Sequence, residues 1–423
     1  MTSTSKDRSQ LISVDDVYRA KVRLKGIAEQ TPLMPNLHLS DQFGCRLLLK
    51  REDLQVVRSY KIRGAYNKMA TTPREALERG VVCASAGNHA QGVALACRKM
   101  KVRGKVYMPG VTPKQKVKKV KLFGKNYVEI ILTGDTFDDS SAEAMREAER
   151  MGMVFVHPFD DERIIEGQAT VGLEVLEDCD RPIDYVFVAV GGGGLISGLG
   201  SYFKQISPQT KIIGVEPQGA PAMHHSLKAG ELVELEQIDS FVDGAAVRRV
   251  GQTTFRIARQ VIDDMVLVPE GKVCSTILQL YNEEGIVVEP AGALTIAALD
   301  FYRQQIEGKT VVCILSGSNN DITRTEEIRE RSLLYEGLKH YFVIRFPQRA
   351  GALRDFLNEV LGPNDDITHF EYTKKHNRES GPALVGIQVV DRGDYQALIE
   401  RMDRHRIDYQ TLNDSRMLFD LLV

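Results

Sequence analysis

The sequence predicts an α/β protein followed by a smaller α+β domain, and three observations carry that reading. At 423 residues the chain is longer than one ordinary domain. From about residue 45 to 320, short apolar runs alternate with longer helical patterns. After about residue 330 the order changes to strand, helix, strand, strand, helix, strand.

The runs in the first part are Val81 to Ala84, Lys105 to Met108, Val128 to Leu132, Tyr185 to Val190, Ile212 to Val215 and Val311 to Leu315. They are rich in Val and Ile and usually followed by Gly, Pro or Ser, the pattern of parallel strands buried on both faces. Segments between them, such as Gly87 to Met100 and Phe137 to Met151, have the length and apolar spacing of covering helices. In the second part, His340 to Phe346, Ile367 to Tyr372, Leu384 to Val390 and Asp408 to Leu412 are the expected strands. Gly351 to Val360 and Tyr395 to His405 are the expected helices. That order is ferredoxin-like. The expected division is a larger region over 1–330 built from two α/β subdomains, a connection over 331–338 and a small domain over 339–423.

Composition narrows the function. The chain is 43% hydrophobic and 26% charged, as in average globular proteins, and its net charge of −2 recommends neither nucleic acid nor an anionic membrane as partner. Residues Met1 to Asp7 lack the apolar core of a signal peptide, and no stretch reaches the roughly 20 apolar residues that span a bilayer. A cytoplasmic location is expected. The six cysteines are scattered without a C-x-x-C pair, which indicates neither a disulfide framework nor a zinc site. His224-His225 and Asp138-Asp139 have no third ligand at useful spacing, so no metal is expected. Lys114, Lys118, Lys121 and Lys125 share one helical face, expected to be solvated.

In open α/β sheets ligands bind beyond the carboxyl ends of the strands, and four strand ends here are chemically unusual. Gly191-Gly192-Gly193-Gly194-Leu195 follows the run Tyr185 to Val190. Four glycines expose consecutive backbone N–H groups ahead of a helix start, a cradle for phosphate. Each glycine costs roughly 0.5–1 kcal/mol of backbone entropy, so a mere turn is the weaker explanation. Ser85-Ala86-Gly87-Asn88-His89 follows Val81 to Ala84 and offers free N–H groups suited to a carboxylate, with an N-cap lacking any ligand as the plainer alternative. Ser316 follows Val311 to Leu315, and its hydroxyl either meets a ring nitrogen or caps the next helix. Ser59-Tyr60-Lys61-Ile62-Arg63-Gly64 carries a lysine whose amine can form a Schiff base with an aldehyde cofactor. Most lysines are simply solvated, and Tyr60 is either a packing residue or a ring lying against a planar cofactor.

Together these segments resemble the fold-type II pyridoxal-phosphate enzymes, the group of tryptophan synthase β-subunits, cysteine synthases and serine and threonine dehydratases. Within it, the four motifs look like the threonine ammonia-lyase (threonine dehydratase) set over roughly residues 15 to 330. Phe346-Pro347-Gln348-Arg349-Ala350-Gly351 resembles the strand-to-helix turn of a single ACT-like regulatory domain, as in the short biosynthetic form. The resemblance implies that Lys61 holds pyridoxal 5'-phosphate, with Tyr60 flanking the ring where the family often has Phe. It further implies that Gly191, Gly192, Gly193, Gly194 and Leu195 bind the phosphate, Asn88 the ring hydroxyl and Ser316 the ring nitrogen. Gly244 would approach the cofactor closely, and Ser85, Ala86, Gly87, Asn88 and His89 would hold the substrate carboxylate. Lys61 is then the catalytic base.

The implied reaction converts L-threonine to 2-oxobutanoate and ammonia, the first step of isoleucine synthesis. Isoleucine is the implied inhibitor and valine a counteracting activator, in a homotetramer. A serine-directed dehydratase or racemase is the alternative within the fold. A nicotinamide-dependent oxidoreductase and a non-catalytic amino-acid sensor are the alternatives outside it.

Overall fold

The computed structural model describes residues 11–372 and 379–413. The polar N-terminal stretch, and the parts of the expected small domain at 373–378 and 414–423, lie outside them. The chain forms two compact units. One comprises Met1–Glu270 with Gly285–Asn320, the other Gly271–Glu284 with Asp321–Val423. The division differs from the expected one: helix Glu270–Glu284 groups almost entirely with the C-terminal segment, and that segment starts at 321. Within the second unit this helix lies on helix Thr325–Tyr335, where Ser275 and Ser332 hydroxyls are 3.0 Å apart.

The first unit holds two sheets. Six strands run in the order Leu33–Pro35, Arg46–Arg51, Thr310–Leu315, Tyr185–Ala189, Lys211–Pro217 and Asp264–Val268. All are parallel except the antiparallel edge strand Leu33–Pro35. The second sheet is parallel, ordered Val128–Leu132, Gly104–Met108, Val81–Ala84, Val154–Phe155. Its central strands Gly104–Met108 and Val81–Ala84 are buried on both faces except at half-buried Lys105, in keeping with their apolar runs. Val81–Ala84, Val128–Leu132 and helix Phe137–Met151 have the bounds expected from sequence. That helix starts at a capping box in which Thr136 and Asp139 satisfy each other's backbone amides.

Helix Glu162–Asp178 supports the functional segments. Every residue from Ile164 to Val175 is buried. Helix Lys61–Ala70 touches it through Gly64, where a Cβ would stand 2.8 Å from Ile164 O, and at Gly167 a Cβ would come 2.5 Å from Arg63 O. Helix Gly194–Ile206 touches it through Gly198, which leaves no room for a Cβ beside Ile165 O. Glycine at these contacts lets backbones meet directly, so the lysine helix and the glycine-loop helix share one support.

Charge secures the lysine helix. Buried Arg63 donates to Glu52 Oε1 at 2.7 Å and to Glu174 Oε1 at 2.6 Å, and buried Lys50 donates to Glu174 Oε2 at 2.7 Å. Burial opposes ionisation of Glu52, yet the Arg63 guanidinium, Lys50 and the Thr31 hydroxyl together outweigh it and hold the carboxyl below its usual range.

The second unit carries one antiparallel sheet, ordered Asp366–Tyr372, Ser380–Gln388, Lys339–Pro347, Asp408–Thr411. With helices Ala352–Glu359 and Asp394–Arg404 it has the expected ferredoxin-like order. Its core is Phe342, Ile344, Phe356, Val385, Ile387, Leu398 and Met402. No helix among the described residues is long and apolar enough to cross a membrane.

Candidate active site

Lys61 is the first residue of helix Lys61–Ala70, and backbone contacts tie its segment to the end of strand Thr310–Leu315. Tyr60 N donates to Ser316 O at 3.3 Å, Ser59 bridges Gly317, and Ser318 N donates to Arg58 O at 2.9 Å. Ser316 is buried, and Lys61 Nζ lies 5.1 Å from the centroid of the Tyr60 ring. Helix Asn88–Met100 leans on the same place: a Cβ at Gly92 would meet Lys61 C and O at 3.2 Å.

Asn88, first in that helix, donates from Nδ2 to Glu289 Oε1 at 2.6 Å and accepts at Oδ1 from Asn319 Nδ2 at 2.6 Å. Ser85 Oγ accepts from Gly87 N at 3.2 Å, and a Cβ at Gly87 would meet nothing within 4 Å. His89 turns its ring into the protein, Nε2 lying 2.8 Å from Val156 O. Burial first, then the Lys61 charge, push its pKa down to about 3. His89 is therefore a neutral packing residue, with only its backbone N–H to offer a carboxylate.

In the glycine loop, Gly193 has φ +92° and the helix Gly194–Ile206 begins directly after it. The first intrahelical bond runs from Ser197 N to Gly193 O at 3.0 Å, so the amides of 194–196 precede the ladder. Phe159 lies where a Cβ of Gly192 would stand, and Ala245 Cα is 3.0 Å from that of Gly191. Thr254 Oγ1 donates to Gly192 O at 2.7 Å, fixing the loop from below. Gly244 adjoins Glu289, whose Oε1 is 3.6 Å from the position of a Cβ there. Lys61, Asn88, Ser316, Gly244 and Gly191–Gly194 thus belong to one cluster of packed segments.

This donor set suits a phosphorylated ring aldehyde. It combines a primary amine, a glycine loop whose amides precede a helix, an amide and a hydroxyl at separate strand ends. Ser59 Oγ, next to Tyr60 and Lys61, is buried without a hydrogen-bond partner. Residues 24–317 match the family described as pyridoxal-phosphate dependent enzymes, and residues 330–422 match the C-terminal regulatory domain of threonine dehydratase. The biosynthetic L-threonine dehydratase IlvA of Halalkalibacterium halodurans is 57% identical, covering 97% of this chain and 99% of that protein. Its counterpart in Bacillus subtilis is 55% identical, covering 98% of each. The chain belongs to the threonine dehydratases.

Among solved structures, processed threonine deaminase isoform 2 of Solanum lycopersicum matches with a TM-score of 0.71 and 40% identity, over 77% of this chain and 96% of that one. Maize serine racemase reaches the same TM-score at 31% identity, over 76% of this chain and 98% of that one. The catalytic fold alone therefore does not separate threonine from serine chemistry. The family is pyridoxal-phosphate dependent, which supplies this dehydratase's cofactor.

Several residues of the dehydratase site were not expected from sequence. The loop His157 to Asp160 joins the lysine segment to the glycine loop: Pro158 O accepts from Lys61 Nζ at 3.3 Å, and Phe159 packs on Gly192. Asp160 accepts from the amides of Gln252, Thr253 and Thr254 at 3.0, 2.8 and 3.1 Å. Such contacts use a carbonyl, a ring and backbone amides, which leave no motif. Glu289 was also missed, its only signal a Glu-Pro pair opening helix Pro290–Ala297. On helix Lys114–Gly124 the exposed Lys114, Lys118 and Lys121 form the expected stripe, Lys125 falls past the helix end at φ +48°, and the half-buried Lys116 and Lys119 between them reach other segments. Lys116 pairs with Asp243 at 2.6 Å and Lys119 reaches Asn319 at 3.4 Å.

Proposed function

We propose that this dehydratase converts L-threonine to 2-oxobutanoate and ammonia in the cytoplasm as the first step of isoleucine synthesis, inhibited by isoleucine, counteracted by valine, as a homotetramer. The observation that carries the reading is the convergence of Lys61, Asn88, Ser316 and the glycine loop within one unit of a chain that also holds the dehydratase regulatory domain.

In this assignment the Lys61 amine holds the cofactor aldehyde, the amides of Gly191 to Gly194 and Leu195 take its phosphate, and Tyr60 flanks the ring. Asn88 meets the ring hydroxyl, Ser316 the ring nitrogen, and Gly244 keeps the neighbouring backbone close. The cofactor, when bound, supplies an electron sink that eases loss of the α-proton and departure of the β-hydroxyl. Once the substrate's amine has displaced it from the aldehyde, the freed Lys61 Nζ would take the α-proton, a task for which neutral His89, bound to Val156 O, is unsuited. Amides from Ser85 to His89 at a helix start bind the substrate carboxylate. Ser316 brings a neutral hydroxyl where a carboxylate would force a proton onto the ring, a choice that suits elimination over transamination.

The test is ammonia and keto-acid release from threonine and from serine, each with and without isoleucine. Higher efficiency on threonine, depressed by isoleucine, is expected. Higher efficiency on serine would replace the reading with the serine-directed alternative.

A further inference from the structure

Glu289 is fully buried, and both of its carboxylate oxygens are engaged by site residues. Oε1 accepts from Asn88 Nδ2 at 2.6 Å and Oε2 from Asn319 N at 3.2 Å. Its own N–H donates to Gly317 O at 3.2 Å, directly after Ser316. Asn319 is fixed in turn: Nδ2 donates to Val57 O at 2.9 Å and to Asn88 Oδ1 at 2.6 Å, while Oδ1 accepts from Lys119 at 3.4 Å.

A primary amide has two N–H donors and one oxygen. With Asn88 Oδ1 committed to Asn319 and one N–H committed to Glu289, the amide cannot flip, and one N–H remains. We propose that Glu289 is a positioning residue of the cofactor site, whose carboxylate, together with Asn319, fixes the Asn88 amide and leaves one of its N–H groups for the cofactor's ring hydroxyl. The inference rests on the assignment of Asn88 to that hydroxyl.

The chemistry calls for an ionised carboxylate. Two donors, Asn88 Nδ2 and Asn319 N, face its two oxygens, so a protonated oxygen or a glutamine amide nitrogen would set donor against donor. Burial pushes the Glu289 carboxyl up to about 7 and Asp243 adds to it, while the Asn88 and Asn319 amides and Lys116 pull it back. Lys119 is the other charged group that reaches this cluster, through Asn319 Oδ1. The two-sided grip on the Asn88–Asn319 pair is therefore complete above that value and loses one of its two contacts below it. Wild-type cofactor affinity rises as pH passes upward through about 7.

The experiment compares wild type, Glu289→Gln, Glu289→Asp, Asn88→Ala and the double variant Asn88→Ala/Glu289→Gln. It measures pyridoxal-phosphate dissociation constants by absorbance and fluorescence from pH 6 to 8.5, with melting of the cofactor-free proteins as a check on folding. At pH 8, Glu289→Gln binds about tenfold more weakly, the scale of one hydrogen bond to a charged group, and shows no pH step. Glu289→Asp keeps two acceptor oxygens and retains the step. In the Asn88→Ala background the Gln change adds nothing, because the amide it positions is gone. Wild-type affinity in Glu289→Gln, or an equal loss with and without Asn88, would overturn the proposal. Wild-type affinity and pH step in Asn88→Ala would instead remove the Asn88 assignment on which it rests.

Discussion

Helix Glu162–Asp178 in the first unit and helix Asp394–Arg404 in the second both cover sheets, but by different means. The first is buried continuously over twelve residues, with Gly64, Gly167 and Gly198 bringing neighbouring backbones into direct contact. The second buries only Leu398 and Met402, one turn apart, and leaves its other face to solvent. The difference teaches where precision is kept. Backbone-to-backbone contact leaves the lysine helix no side chain that can give way, whereas one apolar stripe fixes only which face is inward.

That contrast can be broken or sharpened by substitution. The largest expected effect is on chemistry: Lys61→Ala should lower threonine turnover on the order of 10³-fold or more, measured as keto-acid release, with the fold unchanged by circular dichroism. Arg63→Leu should cost about 3–5 kcal/mol in urea unfolding, since Glu52 is left buried without its guanidinium partner and Glu174 keeps only Lys50. The Glu52 carboxyl is held low in the folded state. Its contribution is therefore present above the ordinary carboxylate range and lost as pH falls, so the gap between the two proteins should narrow in acid.

Gly167→Ala comes next. Its new methyl meets Arg63 O at 2.5 Å and Gly64 Cα at 2.6 Å, both backbone, so nothing can swing aside. A loss of about 1–3 kcal/mol is expected despite alanine's better helix propensity, and activity should fall because the displacement passes to Lys61. Gln396→Ala, on the exposed face of the second unit's helix, should change stability by no more than about 0.5 kcal/mol and leave turnover alone. Equal sensitivity at Gly167 and Gln396 would end the comparison.

The two units were also legible to different degrees. Val81–Ala84, buried on both faces, announces itself as an apolar run, the edge strand Val128–Leu132 by its Val and Ile content, so both were readable to the residue, and glycines marked the phosphate cradle. The ferredoxin-like order was readable because alternation and helical spacing are local properties. What stayed hidden acts through tertiary proximity. Arg63 reads as a surface arginine until Glu52 and Glu174 converge on it, and Pro158 acts through a carbonyl that every residue has. Lys116 and Lys119 differ from the solvated lysines beside them only by helical phase, which decides function once Asp243 and Asn319 are placed. The grouping of helix Glu270–Glu284 with the C-terminal segment likewise depends on packing against Thr325–Tyr335, across some fifty residues of chain.

The central claim, that Lys61 carries the cofactor, is tested most directly by borohydride reduction of the pyridoxal-phosphate-loaded enzyme, proteolysis and mass spectrometry of the peptides. The account predicts a single phosphopyridoxyl group on the lysine of Ser59-Tyr60-Lys61-Ile62-Arg63. A label on any other lysine with Lys61 unmodified, or loading that survives undiminished in Lys61→Ala, would contradict it.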